Sequence, residues 1–426
     1  MHCCAPPFCF CKITCPRPSF LGKLGVDSFE KEISVPKRTE DQFGSIDPPL
    51  YRSVAFAANS IADAAKAFSA YASRYAYGRM GNPSIKPFET WFAEFEGVGE
   101  GSVWATNTGM SAVLLAIKGS TSAQVGRGRR VVASPYVYGG THHLLELLDR
   151  NGDIDLFWVE DPFSLASWEE AIGRQSHPAC VLLETPSNPT IDVFDIRAIA
   201  RMTHDHNSRL IVDNTLGVGL QWPIFLEADA VVYSVTKALN RASSELGGAL
   251  VVSSSFRQEI EEVFDDIFVH YGLIMHPMSA AAVYEKRTTL VRDMELFSAN
   301  ALEVAAFLAQ HPKVKRVNYP KLFSNRHFPI AQAQMPKGAG GILSFELESF
   351  EKAVQFIELE QEAFLAVHLG DGNNHLVTHP ASTTHSKLSV DELRRLKITP
   401  ELIRLSVSLG SVYPLIDDFE RVLSTL

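Results

Sequence analysis

Cys180-Val-Leu-Leu-Glu184-Thr-Pro-Ser-Asn188-Pro, Arg209-Leu-Ile-Val-Asp213-Asn-Thr215 and Ala230-Val-Val-Tyr-Ser234-Val-Thr236-Lys237 share one pattern, a short apolar run that stops in polar residues. A continuous apolar run without alternation is what a strand covered on both faces requires. Similar runs span Arg130 to Ser134, Ile154 to Trp158 and Ala249 to Ser253, and helix-compatible stretches such as Thr141 to Arg150, Ser167 to Gln175 and Asp195 to His206 lie between most of them. Strand and helix in alternation predict an α/β fold built on a mostly parallel sheet. Ligands of such sheets bind beyond the carboxyl ends of the strands. The polar residues that end the three runs are therefore where chemistry is expected.

Beyond about residue 285 the texture changes. A long helical stretch, Glu285 to Gln310, leads to strand-like Gly341 to Phe345, the loop Gly370 to Ser386 and strand-like Leu402 to Ser408, the pattern of a smaller α+β domain. Toward the N-terminus, Ile61, Ala62, Ala65, Phe68 and Ala72 have helical spacing, whereas residues 1–60 are rich in proline, charge and turn formers. The expected organisation is a tail and arm over 1–60, a large domain over 61–285 and a C-terminal domain over 286–426.

The composition, 46% hydrophobic and 21% charged over 426 residues, is that of an ordinary globular protein and excludes a disordered or polytopic membrane chain. A formal charge of −10 argues against a nucleic-acid partner, whose binding depends on clustered cations. The one basic cluster, Arg127, Arg129 and Arg130, reads as a solvated loop. No run of eighteen apolar residues is present, so no membrane span is expected, and the expected location is cytoplasmic. Cys3, Cys4, Cys9, Cys11 and Cys15 crowd the N-terminus without a zinc-like spacing and read as part of a flexible tail. Cys180 alone lies in the body, which fits a reducing compartment.

The three passages would bring an amide, a carboxylate, hydroxyls and an amine to one rim. Those groups suit a pyridine aldehyde phosphate, pyridoxal phosphate (PLP). Lys237 offers the amine an aldehyde needs, and Asp213 would keep a pyridine nitrogen protonated. Ser234 and Thr236 offer hydroxyls to the phosphate, and Thr108-Gly109-Met110, at the start of a helix running to Lys118, offers free N–H groups.

From about Pro48 to the C-terminus, the chain resembles the Cys/Met-metabolism family of PLP enzymes, the cystathionine γ-synthase and O-acetylhomoserine sulfhydrylase-like trans-sulfuration group. Six motifs carry the resemblance in order. Tyr77-Gly-Arg79-Met-Gly-Asn-Pro83 resembles a segment whose Tyr and Arg reach the neighbouring subunit's site, the Arg holding phosphate and the Tyr lying beside substrate. Tyr138-Gly-Gly-Thr141 resembles one whose Tyr stacks on the pyridine. Glu184-Thr-Pro-Ser-Asn188-Pro resembles one whose Asn bonds the ring oxygen. Asp213, with Thr215 nearby, falls on the ring-nitrogen partner, Lys237 on the Schiff-base lysine, and Arg404-Leu-Ser-Val on a segment whose Arg grips the substrate carboxylate. The resemblance implies the fold-type-I (aspartate-aminotransferase-like) architecture of PLP-dependent transferases. It also implies PLP as cofactor, small amino acids as substrates, and a homo-oligomer: a dimer with shared sites, assembled to a tetramer. The site so implied is Lys237, Tyr77, Asp213 and Arg404 for catalysis. Tyr138, Asn188, Gly109, Met110, Ser234, Thr236, Arg79 and Thr215 join Lys237, Asp213 and Tyr77 in holding the cofactor, and no metal is expected.

Departures from the family concentrate near substrate. Relatives commonly read Gly-His-Ser-Asp where this chain has Arg241-Ala-Ser-Ser244, although Gly247-Gly248 is retained. Gly140 stands where a methionine γ-lyase hallmark has Cys, which disfavours that activity. The stretch from Gly370 to His385 is most similar to the O-acetylhomoserine sulfhydrylase version but one residue longer, and the last motif ends in Ser408-Leu-Gly410. Its histidines, His375, His379 and His385, are not spaced as a metal site. The expected reaction is γ-replacement on an O-activated homoserine, the O-acetyl ester foremost, by sulfur or another nucleophile. Cystathionine-type β- or γ-elimination is the alternative, and a non-catalytic PLP-binding homologue the third reading.

Overall fold

A computed structural model describes residues 43–69, 75–174 and 177–426. The cysteine-rich tail and Ala72 lie outside the described residues. Seven strands form the first sheet: β1 (Val103–Thr106), β2 (Arg130–Ala133), β3 (Asp155–Trp158), β4 (Cys180–Glu184), β5 (Arg209–Asp213), β6 (Ala230–Tyr233) and β7 (Gly248–Val252), in the order β1-β7-β6-β5-β4-β2-β3. The neighbours from β3 to β6 run parallel, and β7 is antiparallel to both β6 and β1. The second sheet is mostly antiparallel and holds β8 (Arg316–Asn318), β9 (Ile342–Glu346), β10 (Ala363–Leu365), β11 (His375–Thr378) and β12 (Leu402–Ser406), in the order β10-β11-β12-β9-β8.

The apolar runs are continuous because successive side chains enter different cores. Cys180, Leu182, Ile211, Ala230 and Val232 pack under the helices Gly109–Ser120 and Ser254–His270. Val181, Leu183, Leu210 and Val212 pack on the other face against the helices Leu165–Gly173 and Ile196–Asp205. At roughly 25 cal/mol per Å² of apolar surface, covering both faces is what holds such strands in a sheet interior.

Three expectations need correcting. Arg130 opens β2 rather than lying in a solvated loop; it is 4% exposed, and its guanidinium donates to the Ala171 and Ile172 carbonyls, capping a helix end. Arg127 and Arg129 do lie before the strand, paired with Glu259 and Asp155. The long helix begins at Leu290, not Glu285, because the turn Arg287–Thr289 interrupts it after the helix Pro277–Glu285. That turn is gripped by Arg241, which donates to the Lys286 carbonyl and to Thr289 Oγ1. The stretch Gly370 to Ser386 is not all loop, for it contains β11 and a short turn of helix, Pro380–Ser382. The helix Leu290–Gln310 spans both units: Leu290, Met294 and Phe297 pack with the first sheet, and Ala301, Val304 and Leu308 with the second.

Candidate active site

The alternation that fills the two cores also aims the polar residues at the strand ends. Glu184 continues the parity of Cys180 and Leu182, Asp213 that of Ile211, and Ser234 that of Ala230 and Val232, so all three belong to the face beneath the helix Gly109–Ser120. Glu184 and Asp213 are direct partners in the β4–β5 register. Gly109 makes the close approach possible, since a Cβ there would stand 2.7 Å from Ser234 Cβ. Thr108 caps the helix by accepting the Ser111 N–H at 3.1 Å. The Gly109 and Met110 N–H groups have no acceptor among the described residues.

These groups line one cavity with Lys237, Tyr138, Asn188, Thr236 and Thr215. Lys237 sits in a kinked turn, Val235–Leu239, where its own backbone leaves helical angles (φ −92°, ψ −132°). Thr215 orders the floor: its N–H donates to Asp213 Oδ1 at 3.0 Å and its hydroxyl accepts the Ser234 N–H at 2.8 Å. Thr236 is less free than the sequence suggests, because its hydroxyl donates to the Gly247 carbonyl at 3.2 Å and accepts the Gly247 N–H at 3.0 Å.

From the second unit, β12 delivers Arg404, 2% exposed, to the same cavity. Its Nη1 donates to Asn188 Oδ1 at 3.1 Å, and its Nη2 to the Val367 and His368 carbonyls at 3.3 and 3.0 Å. Burial pushes Arg404 down to about 10 and, with the Arg404 charge second, pushes Lys237 down to about 8. Burial raises the Asp213 carboxyl against the Thr215 hydrogen bonds; it raises Glu184 further, with the neighbouring Asp213 adding to the effect. Among the described residues no ion pair joins any of these four groups to another. Two buried cations without carboxylates and two buried carboxylates without cations are costly unless a ligand of complementary charge completes them.

Glu184 is a site residue that its motif does not mark by a role. It accepts the Tyr138 and Asn188 N–H groups and so fixes two lining residues at once. The rule that marks Asp213, an acid directly after an apolar run, would have marked it too. Tyr77 and Arg79 are not brought to this cavity: Tyr77 is 43% exposed, and Arg79 donates to the Val269 carbonyl at 3.0 Å. His375 accepts the Ser408 N–H, and His379 is held by Ser382 and the Pro400 carbonyl, so neither is free. His385 is buried, with Nδ1 beside the Thr384 hydroxyl. One group of described residues with metal-like spacing, His142, Glu146 and Glu392, contributes nothing to the cavity lining.

Residues 31–424 match the model of the Cys/Met metabolism PLP-dependent enzymes. The chain belongs to that family. It is 33% identical to an L-methionine γ-lyase of Fusobacterium nucleatum over 90% of this chain and 95% of the relative. It is 32% identical to a cystathionine γ-synthase of Mycobacterium bovis over 91% and 94%. A Campylobacter jejuni structure described as an O-acetylhomoserine (thiol)-lyase, carrying a pyridoxyl-lysine monophosphate, superposes with a TM-score of 0.84 at 29% identity, covering 92% of this chain and 98% of that one. The fold is thus the fold-type-I architecture of PLP enzymes, and the cofactor is PLP. The donor set fits it: an amine held near neutrality, a buried carboxylate, and a helix start with free N–H groups beside the Ser234 hydroxyl.

Two of the departures from the family lie together. Arg241 has φ +53°, a left-handed conformation that explains why glycine is usual there. Its carbonyl accepts the Gly372 N–H at 3.0 Å, and the Ser243 hydroxyl donates to Asp371, so the altered turn and the altered loop are fastened to each other behind Lys237. Gly140 is tied to Tyr138: a Cβ at 140 would stand 2.5 Å from the tyrosine ring, so the ring occupies space that a Cys at 140 would need.

Proposed function

We propose that this enzyme catalyses γ-replacement on an O-activated homoserine, the O-acetyl ester foremost: the Cγ–O bond breaks, acetate leaves, and a sulfur or other nucleophile joins Cγ. The observation that carries an amino-acid substrate is Arg404, a buried fork with no carboxylate of its own, three hydrogen bonds to fix it, and Lys237 in the same cavity. A planar bidentate donor in that state suits an α-carboxylate.

Bound PLP supplies an aldehyde that a primary amine can hold and a ring that takes up electrons from the substrate. Lys237 would hold it, Asp213 would keep the proton on its ring nitrogen, and the start of the helix Gly109–Ser120 with Ser234 would take its phosphate. Tyr138 would cover the ring face, with Glu184 fixing its backbone, and Asn188 would offer its amide N–H to the ring oxygen. Lys237, lowered to about 8 by burial, is the group placed to accept a proton from Cα and return it further along the substrate chain. Arg79 of the partner subunit would add a cation at the phosphate, and Tyr77 of the partner subunit would assist proton transfer near the leaving group. The exposed apolar residues of the arm, Leu50, Tyr51 and Val54 beside Tyr77, support a dimer as the working unit.

Elimination is the second reading, favoured by the methionine γ-lyase relative; Gly140 and the resemblance of the Gly370 to His385 stretch to sulfhydrylases favour replacement. Incubation of the PLP-loaded protein with O-acetylhomoserine, with and without sulfide or cysteine, distinguishes them by mass spectrometry. Replacement predicts a thiol-dependent adduct at Cγ. Release of 2-oxobutanoate and ammonia at an equal rate with and without thiol would overturn it.

A further inference from the structure

The geometry points to His368 as a positioning residue for Lys237, its ring nitrogen being the acceptor on which the ε-amine rests whenever the lysine is not joined to the cofactor. This inference rests on the PLP reading above and deepens it. Lys237 Nζ lies 3.3 Å from His368 Nδ1, and no other hydrogen-bond partner of Nζ occurs among the described residues. An ammonium has only donors, so Nδ1 is the acceptor and the ring proton belongs on Nε2. That Nε2 is buried without a partner, a cost that leaves the Lys237 contact as the ring's hydrogen bond.

The segment around His368 is fixed at several points, so the ring is presented rather than drifting. Its carbonyl accepts Arg404 Nη2 at 3.0 Å, and the Gly370 N–H donates to Ser406 Oγ at 2.9 Å. Gly370, at φ +75°, passes so close to the lysine turn that a Cβ would stand 2.7 Å from the Ala238 nitrogen. The Gly372 N–H and Asp371 then clasp Arg241 and Ser243. One residue therefore holds the lysine by its side chain and the arginine by its carbonyl, which sets the spacing of amine and carboxylate grip. Burial, joined by the facing charges of Lys237 and Arg404, pushes the ring down to about 4, and Asp371, the other charged group facing it, opposes them. The ring stays a neutral acceptor throughout the neutral range.

Competitive reductive methylation of the cofactor-free protein across pH, read by peptide mass spectrometry, tests this in wild type, His368→Leu and His368→Asn. An Asn carbonyl stands near the Nδ1 position and restores the acceptor. Leu is expected to lower the Lys237 labelling midpoint by about one pH unit, through loss of a hydrogen bond to a charged donor, and Asn to keep it within a few tenths of wild type. His368→Ser, whose hydroxyl is too short to reach Nζ, should reproduce the Leu shift with a polar side chain. Identical midpoints in wild type, Leu and Ser, or an Asn variant that behaves as Leu, would overturn the proposal. Adding PLP and borohydride to each sample separates the two readings: no pyridoxyl adduct in wild type sinks the cofactor assignment, whereas adducts in all four with unshifted midpoints sink only the role of His368.

Discussion

Replacing Arg241 by glycine and by alanine separates two opposed contributions in the turn behind Lys237. A residue with a Cβ at φ +53° costs about 1–2 kcal/mol relative to glycine. Against that, the Arg241 side chain is 5% exposed, with Nε 3.0 Å from Asp293 Oδ2, and it donates to Leu239, Lys286 and Thr289. Removing one partner of such a pair costs about 3–5 kcal/mol, chiefly through the charge left behind. Asp293 would keep the Thr289 hydroxyl at 2.6 Å and the exposed Arg292, which sets the loss at the lower end. Arg241→Ala loses the pair and keeps the strain, so about 3 kcal/mol of destabilisation is expected. Arg241→Gly loses the pair but relieves the strain, leaving about 2 kcal/mol. Glycine above alanine reverses the usual order, in which glycine is worse by about 0.5–1 kcal/mol. Adding Asp293→Asn to Arg241→Gly should recover part of the deficit by removing the orphaned carboxylate. Urea unfolding of the cofactor-free proteins, followed by tryptophan fluorescence, measures all three. Alanine at or above glycine would refute the strain argument, and a double variant no more stable than Arg241→Gly alone would refute the ion-pair argument.

Asp213→Asn should lower PLP retention and cut turnover by on the order of 10³-fold, the scale at which loss of a buried charge-stabilising group acts. In cofactor-free protein the same substitution should not destabilise at neutral pH: the folded Asp213 carboxyl is raised, so its contribution is present below the unfolded value of about 4 and lost as pH rises. The advantage of Asn, read by thermal unfolding, should shrink toward pH 4, and a destabilised Asn variant at pH 8 would contradict this. Arg404→Lys keeps the charge but not the fork; KM for the amino acid should rise about 10- to 100-fold, checked by steady-state kinetics. Inactive Arg79→Ala and Lys237→Ala chains, refolded together, should regain about a quarter of wild-type activity if each site is shared across a two-fold. No regain would remove the partner's role.

The central sheet was legible because its strands are buried on both faces: β4 and β5 have the bounds their apolar runs suggest, and their last residues, Glu184 and Asp213, are the site's carboxylates. Two short strands of the second sheet were harder to read. Ala363–Leu365 opens the apolar run Ala363 to Val367 but is only three residues long, with Phe364 and Leu365 exposed, so it is not a strand covered on both faces; His375–Thr378 lies inside a polar stretch. The break before Leu290 is imposed by Arg241, some fifty residues away in sequence, and no local pattern could show it. His368 was missed although it directly follows the apolar run Ala363 to Val367, the same signal that marks Asp213. Its nearness to Lys237 comes from the close passage of Gly370 over Ala238, which no local pattern shows.

Borohydride reduction of the PLP-loaded protein, followed by peptide mapping, tests the covalent claim on which the enzyme assignment stands. A pyridoxyl group on Lys237, absent from Lys237→Ala, is the result expected. Its appearance on another lysine, or on none, would contradict the account.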